Sequence, residues 1–250
     1  SDGVSDRIIQ SIDFTRTKVS GDDGNGHGTH VAGIVGGSDS SCLGIAPGVD
    51  LISLKVLTDD GSGSFESINN ALDWCIRNAD KYNLTAINMS LGDSSFSQVD
   101  VVDGYSSKQL AALRALGVSI ISASGNDYAT SSKEGVSYPS SDLSSASIGA
   151  VFHSNVGSFR GATTSDTDRI VPFSQRDDDL TTVFAPGVLI PAANVGGGIV
   201  QLSGTSMASP VVAGAVAVLQ DAAKKLLGST LSPDEIEELL VNSGDTIFDG

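Results

Sequence analysis

Val118-Ser119-Ile120-Ile121-Ser122-Ala123-Ser124-Gly125-Asn126 is an apolar run of strand length that gives way to small polar residues. A run of this kind reads as a strand buried on both faces, the hallmark of a parallel sheet. Three further runs, 51–57, 86–91 and 146–151, read the same way. Between the first pair, Ile68, Ala71, Leu72, Cys75, Ile76 and Ala79 recur at helical spacing, and 107–116 repeats the pattern before the quoted strand. Strand, helix, strand in succession predicts an α/β fold, doubly wound, with a mainly parallel sheet and helices on both faces.

Outward from this centre, Ser232-Pro233-Asp234-Glu235 supplies an N-cap serine, a proline at the first helical position and a glutamate at the third. It predicts a last helix ending near Ser243-Gly244. Val195-Gly196-Gly197-Gly198-Ile199 reads as a hairpin tip, and the polar stretch 157–179 as a surface excursion. A chain of 250 residues at 40% hydrophobic content suits one domain, 1–250. Thirty acidic against 14 basic residues, net −16, argue against nucleic acid or an anionic membrane as partner. No apolar run reaches the roughly 20 residues that span a bilayer. Cys42 and Cys75 are too few for a disulfide scaffold, and Cys75 falls on a helix's apolar stripe, where a buried free thiol is expected.

Two segments carry chemistry. Asn25-Gly26-His27-Gly28-Thr29-His30-Val31-Ala32-Gly33 places an imidazole at the head of a small-residue helix. Gly204-Thr205-Ser206-Met207-Ala208-Ser209-Pro210 opens a long apolar helix, with Pro210 expected in its first turn. A serine hydroxyl is a poor nucleophile until a neutral imidazole accepts its proton, and a helix N-terminus offers unpaired N–H groups where negative charge develops. Gly204-Thr205-Ser206-Met207-Ala208 is not the Gly-x-Ser-x-Gly elbow of the α/β-hydrolases. Together the two segments resemble the histidine and serine motifs of the subtilisin-like serine proteases. The resemblance implies an endopeptidase in which Ser206 attacks the peptide carbonyl and His27 is the general base, with His30 a packing residue.

Ser124-Gly125-Asn126 resembles the family's oxyanion-hole segment, which implies that Asn126 and the Ser206 N–H share the tetrahedral oxyanion. Ser90, Leu91 and Gly92 resemble the segment whose backbone pairs with substrate, and Ala123, Ser124 and Gly125 the opposite wall of the pocket for the residue before the scissile bond. Asp127 reads as a solvated acid, with a place at that pocket's rim, where it would favour basic residues, as the alternative. The implied partner is a peptide or protein substrate, and family habit implies an extracellular setting. Structural calcium is implied in the same way; the acidic loops Asp22-Asp23 and 177–179 are the nearest oxygen-rich segments, and no ligands are assigned. No cofactor is expected for catalysis. Met207, beside the nucleophile, is expected to make activity peroxide-sensitive.

One part of the family pattern is missing. The triad runs Asp, His, Ser, with the Asp after a buried strand. Asp2-Gly3-Val4 has only Ser1 before it. Asp13 has an apolar lead-in but lies 14 residues before His27, on what looks like the family's later strand, and Asp22 and Asp23 lie in a polar turn. No aspartate is therefore assigned to the triad. The expectation is a catalytic domain incomplete at both ends, whose sheet lacks an interior strand that a companion N-terminal fragment carries together with the Asp. A non-catalytic subtilase-like binding module, and a peptide ligase or macrocyclase using the same acyl-enzyme, stand as alternatives.

Overall fold

The computed structural model describes residues 7–16, 22–162 and 164–247; Asp2-Gly3-Val4 lies outside them. In chain order the elements are β1 (Ile8–Asp13), α1 (His27–Gly36), β2 (Ser38–Asp39), β3 (Cys42–Leu43), β4 (Leu51–Lys55), α2 (Phe65–Tyr82), β5 (Ala86–Met89), α3 (Ser107–Ala115), β6 (Ser119–Ala123), α4 (Tyr128–Ser131), β7 (Ala146–Val151), β8 (Thr181–Pro186), β9 (Ile190–Ala193), β10 (Ile199–Leu202), α5 (Thr205–Leu227) and α6 (Pro233–Ser243).

Four strands form a parallel sheet in the order β5-β6-β7-β8. Every residue of β6 and β7 is buried, as their unbroken apolar character requires. The helices cover both faces. On one, Ile68, Leu72 and Cys75 of α2 pack with Leu110 and Leu113 of α3 against Ile120; on the other, Val212 and Val216 of α5 and Ile236 of α6 pack against Ile121 and Ile148. Cys75 is a free thiol that burial pushes up to about 12.

The fourth apolar run does not join that sheet. β4 pairs in parallel with β1, with Ile12 opposite Leu54 and Asp13 opposite Lys55, as a separate two-stranded sheet. All five β4 residues and three of four in β5 stay partly exposed, where burial on both faces was expected. Yet β4 and β5 border the same two cores: Leu51 and Ala86 adjoin the α5 core, and Leu54 and Ile87 the α2 core. Among the described residues the edge of β4 away from β1 and the edge of β5 away from β6 carry no ladder.

α5 runs against β5, β6, β7 and β8 and against α1. By length and composition it would pass for a membrane span, but over half of its apolar window is buried within the fold. Gln220, Asp221, Lys224 and Lys225 interrupt its last turns, which is why no long apolar run shows in the sequence. Ser232 caps α6 in a full capping box with Glu235, and Gly244 ends it, as predicted. The three-glycine tip joins β9 and β10 as an antiparallel hairpin, also as predicted. The stretch 157–179 departs from expectation. Val171, Phe173 and Gln175 are buried, because Val171 N–H donates to Ala150 O and draws the segment alongside β7.

Candidate active site

The site lies at the carboxyl ends of parallel strands, the usual place for chemistry in open α/β sheets. Met89 of β5 sits opposite Ser122 of β6, so Ser90-Leu91-Gly92 and Ser124-Gly125-Asn126 leave neighbouring strands at one end. They converge on Ser137: a Cβ on Gly92 would stand 2.6 Å from Ser137 Oγ. Gly125, at φ +115, could carry none, because Gln175 Oε1 occupies that space. At both positions only glycine leaves room for the packing of Ser137 and Gln175 against these strand ends.

Ser206 is the second residue of α5 and is partly exposed. Pro210 stands in the second turn of the helix, not the first as its stereochemistry predicts. Proline has no N–H for the carbonyl four residues back, and that carbonyl, of Ser206, instead accepts from Ser90 Oγ at 2.8 Å. Asn88 Nδ2 in turn donates to Ser90 Oγ at 2.9 Å. The residue that defeats the helix bond thus ties the serine turn to the end of β5.

Asn126 is held from the same helix. Its Oδ1 accepts from Thr205 N–H at 2.9 Å and Thr205 Oγ1 at 3.1 Å, and Gly125 N–H donates to Thr205 Oγ1 at 3.2 Å. With the oxygen pinned, the amide nitrogen is the end of the group free to donate. Asn126, His27 and Ser206 line one cleft of about 450 Å³, together with Leu189, Leu202 and Met207.

His27 is the first residue of α1, entered through Gly26 at φ +98. Gly26 offers no side chain to cap the helix, and Asp23 does so from outside. Its carboxylate accepts from the N–H groups of Asn25, Gly26 and Thr29 and from Thr29 Oγ1, all within 2.9 Å. Burial pushes this carboxyl up, but the four bonds outweigh it and hold the pKa below the ordinary value. Burial pushes the His27 imidazole down, Asp23 pulls it partly back up, and His30 adds to the lowering. The ring is therefore neutral at pH 7, as a general base must be. Among the described residues no carboxylate hydrogen-bonds to it. Asp13, on β1, instead accepts from Thr15 N–H and Oγ1 at 2.6 Å.

His30 is fully buried, and its Nε2 reaches both Ile190 O at 3.0 Å and Val200 O at 3.1 Å. Two carbonyls on one nitrogen require that nitrogen to carry the proton. His30 clamps α1 to the β9–β10 hairpin, the packing role expected of it. Gly33 allows the contact, since a Cβ there would meet Ala193 N at 2.8 Å.

A model of the subtilase family matches residues 2–249. The chain belongs to the subtilase family. This subtilase is 33% identical to Subtilisin DY of Bacillus licheniformis over 98% of its own length and 81% of that protein. It is 35% identical to a thermostable alkaline protease of Halalkalibacterium halodurans over 86% of its length and 52% of the relative. Among solved structures, a cold-adapted subtilisin-like serine proteinase superposes with a TM-score of 0.76 at 29% identity, covering 98% of this chain and 78% of that one. The fold and the serine-type endopeptidase class follow from these matches. Subtilases need no cofactor for catalysis.

Both Asp23 oxygens are taken by N–H and O–H donors, Asp177 Oδ1 accepts from the Asp179 and Leu180 N–H groups, and no cluster of three metal-ligating side chains occurs among the described residues.

Two predictions arise here. Asp23→Ala strips the cap from α1 and is expected to destabilise the fold by about 1–2 kcal/mol, lowering Tm by roughly 2–8 °C for a domain of this size. Because the folded pKa is lowered, the contribution is fully present above the ordinary 3.8 and is lost as pH falls through the lowered value. Thermal melts of wild type and variant that fail to converge at low pH would contradict this. Met207 is 2% exposed, packs with Ile34 and Ala192, and lines the cleft beside Ser206. Peroxide should lower turnover several-fold through its sulfoxide, Met207→Leu should resist, and Met89→Leu should not.

Proposed function

We propose that the chain is a peptide-bond hydrolase working through an acyl-enzyme on Ser206. His27 takes the Ser206 proton as Oγ attacks the carbonyl carbon, and returns it to the departing amine. Water then repeats the cycle and releases the acid. Asn126 Nδ2 and the Ser206 N–H receive the tetrahedral oxyanion, and the α5 N-terminus adds its positive end. Ser90, Leu91 and Gly92 on one side and Ala123, Ser124 and Gly125 on the other flank an extended substrate backbone. The observation that carries this reading is that His27, Asn126 and Ser206, far apart in sequence, line one cleft.

The triad aspartate, in this reading, comes from a companion N-terminal segment of the same precursor, seated as a strand between β4 and β5. The support is the sheet itself, divided among the described residues into two pieces that border common cores and whose facing edges carry no ladder there. Residues 1–250 then form a single catalytic domain completed by that strand. An extracellular setting, with no nucleic acid or membrane partner, suits the acidic composition.

The test is intact mass under denaturing conditions after a fluorophosphonate probe, followed by product analysis on an unlabelled peptide. An adduct on Ser206 and products heavier by one water in total support hydrolysis. Joined peptides would make it a ligase, and no adduct would make it a binding module.

A further inference from the structure

Phe159 and Ala162 exchange backbone hydrogen bonds of 3.1 and 2.9 Å, enclosing a two-residue turn. Its central residues, Arg160 at φ +43 and Gly161 at φ +95, have the signs of a type I′ turn. That turn favours Asn-Gly, and arginine in its first central place is held against its own preference, a kind of cost that collects at functional positions. The turn belongs to the stretch read from sequence as a surface excursion. It folds back so that Phe159 and Arg160 form a wall of the cleft holding His27 and Ser206.

The Arg160 side chain is exposed, with its guanidinium carbon 5.5 Å from the centre of the Phe159 ring and 5.9 Å from that of Phe173. Two aromatic faces position a cation without neutralising it. Among the described residues no carboxylate lines this cleft, in a chain where acids outnumber bases 30 to 14. With His27 neutral, Arg160 is the charged part of its wall among those residues. Neither Ser90-Leu91-Gly92 nor Ala123-Ser124-Gly125 belongs to that wall. The wall is shared instead with Leu189, Gln201 and Leu202, and because it has no residue in common with the flanks assigned to the acyl side, the reading gives it to the departing part of a substrate.

We propose that Arg160 is a specificity-determining residue that binds a carboxylate on the leaving-group portion of the substrate, either an acidic side chain or the free end of a short leaving fragment. This rests on the catalytic reading above. Long-range repulsion from the acidic surface is screened beyond about 8 Å at physiological salt, so the nearby guanidinium dominates inside the cleft. Its planar fork matches a carboxylate in two-point contact.

The experiment compares internally quenched peptides that differ only in carrying Glu, Gln or Lys two residues after the cleaved bond. Arg160→Asn is the main variant, because asparagine suits the turn while removing the charge; Arg160→Glu and Arg160→Lys accompany it. Wild type should favour Glu over Gln by roughly two- to fivefold in kcat/KM at low salt. The ratio should fall to one in Arg160→Asn, survive in part in Arg160→Lys, and turn toward Lys in Arg160→Glu. A further pair of substrates ending at that position as acid or amide tells a free terminus from a side chain. An unchanged Glu/Gln ratio in Arg160→Asn, or an equal fall on all three substrates, would overturn the proposal. The same peptides titrated onto Ser206→Ala protein read the subsite without turnover. A Glu preference in binding that Arg160→Glu abolishes supports Arg160 even if no peptide is cleaved. Cleavage without any preference removes Arg160 and leaves the hydrolase standing.

Discussion

Ser206→Ala will lower kcat by about six orders of magnitude in the chain completed by the proposed aspartate segment, a figure carried over from subtilisin's own serine, and by about two orders without that segment, since the triad acts as one unit; it will abolish the fluorophosphonate adduct while leaving the fold intact. The size of the effect comes from losing the covalent path, because what survives is oxyanion stabilisation and binding alone. Stability should change little. Among the described residues the hydroxyl makes no structural hydrogen bond, whereas the backbone carbonyl that anchors the turn to Ser90 Oγ is untouched by the substitution. His27→Ala should give a loss of the same order, and the double variant should be scarcely worse than either, since the two groups act as one unit. A double variant falling by the product of the single losses would mean that His27 and Ser206 work independently. The acid limb of the wild-type kcat/KM profile should sit below the ordinary histidine value of 6.5, because burial is the leading influence on His27.

Much of this site was legible because its chemistry is written in contiguous residues. His27, Asn126 and Ser206 each head or end an element whose apolar pattern fixes where that element stops, so motif and fold are read together. The helix ends were equally plain, since Ser232 and Glu235 cap their own turn. What escaped depends on contacts distant in sequence. Asp23 was read as a solvated turn residue, although its spacing to Gly26 and Thr29 is that of a cap and carries a usable signal. Nothing local told that Ser90 replaces the bond Pro210 cannot make, because Ser90 lies 116 positions from Ser206, whose carbonyl it holds. Arg160 gave no signal either, as an Arg-Gly pair in a polar stretch looks like any exposed turn. Apolarity likewise predicted burial of β4 on both faces, but burial needs a neighbour on each edge, and a run of residues says nothing of whether that neighbour is present.

Supplying that neighbour is expected to raise kcat by roughly 10⁴ and to bring the two sheets into one. The magnitude follows from what an orienting carboxylate does for the histidine of a triad. A peptide made as the proposed companion segment, ending in an aspartate, is the reagent, and its Asp→Asn counterpart is the control. Both peptides should seat, because seating depends on backbone bonds worth about 1 kcal/mol each and on apolar burial against the α2 and α5 cores. Amides on the free edges of β4 and β5 should gain exchange protection with either, and Tm should rise with either. Only the aspartate form should restore turnover and move the acid limb upward, since a carboxylate beside His27 favours the protonated ring and reverses the lowering by burial. The controls thus separate completion of the sheet from completion of the triad. Protection of those edges in the isolated chain, with full activity and no response to either peptide, would mean that the fold closes its own sheet and that His27 works without an aspartate from elsewhere.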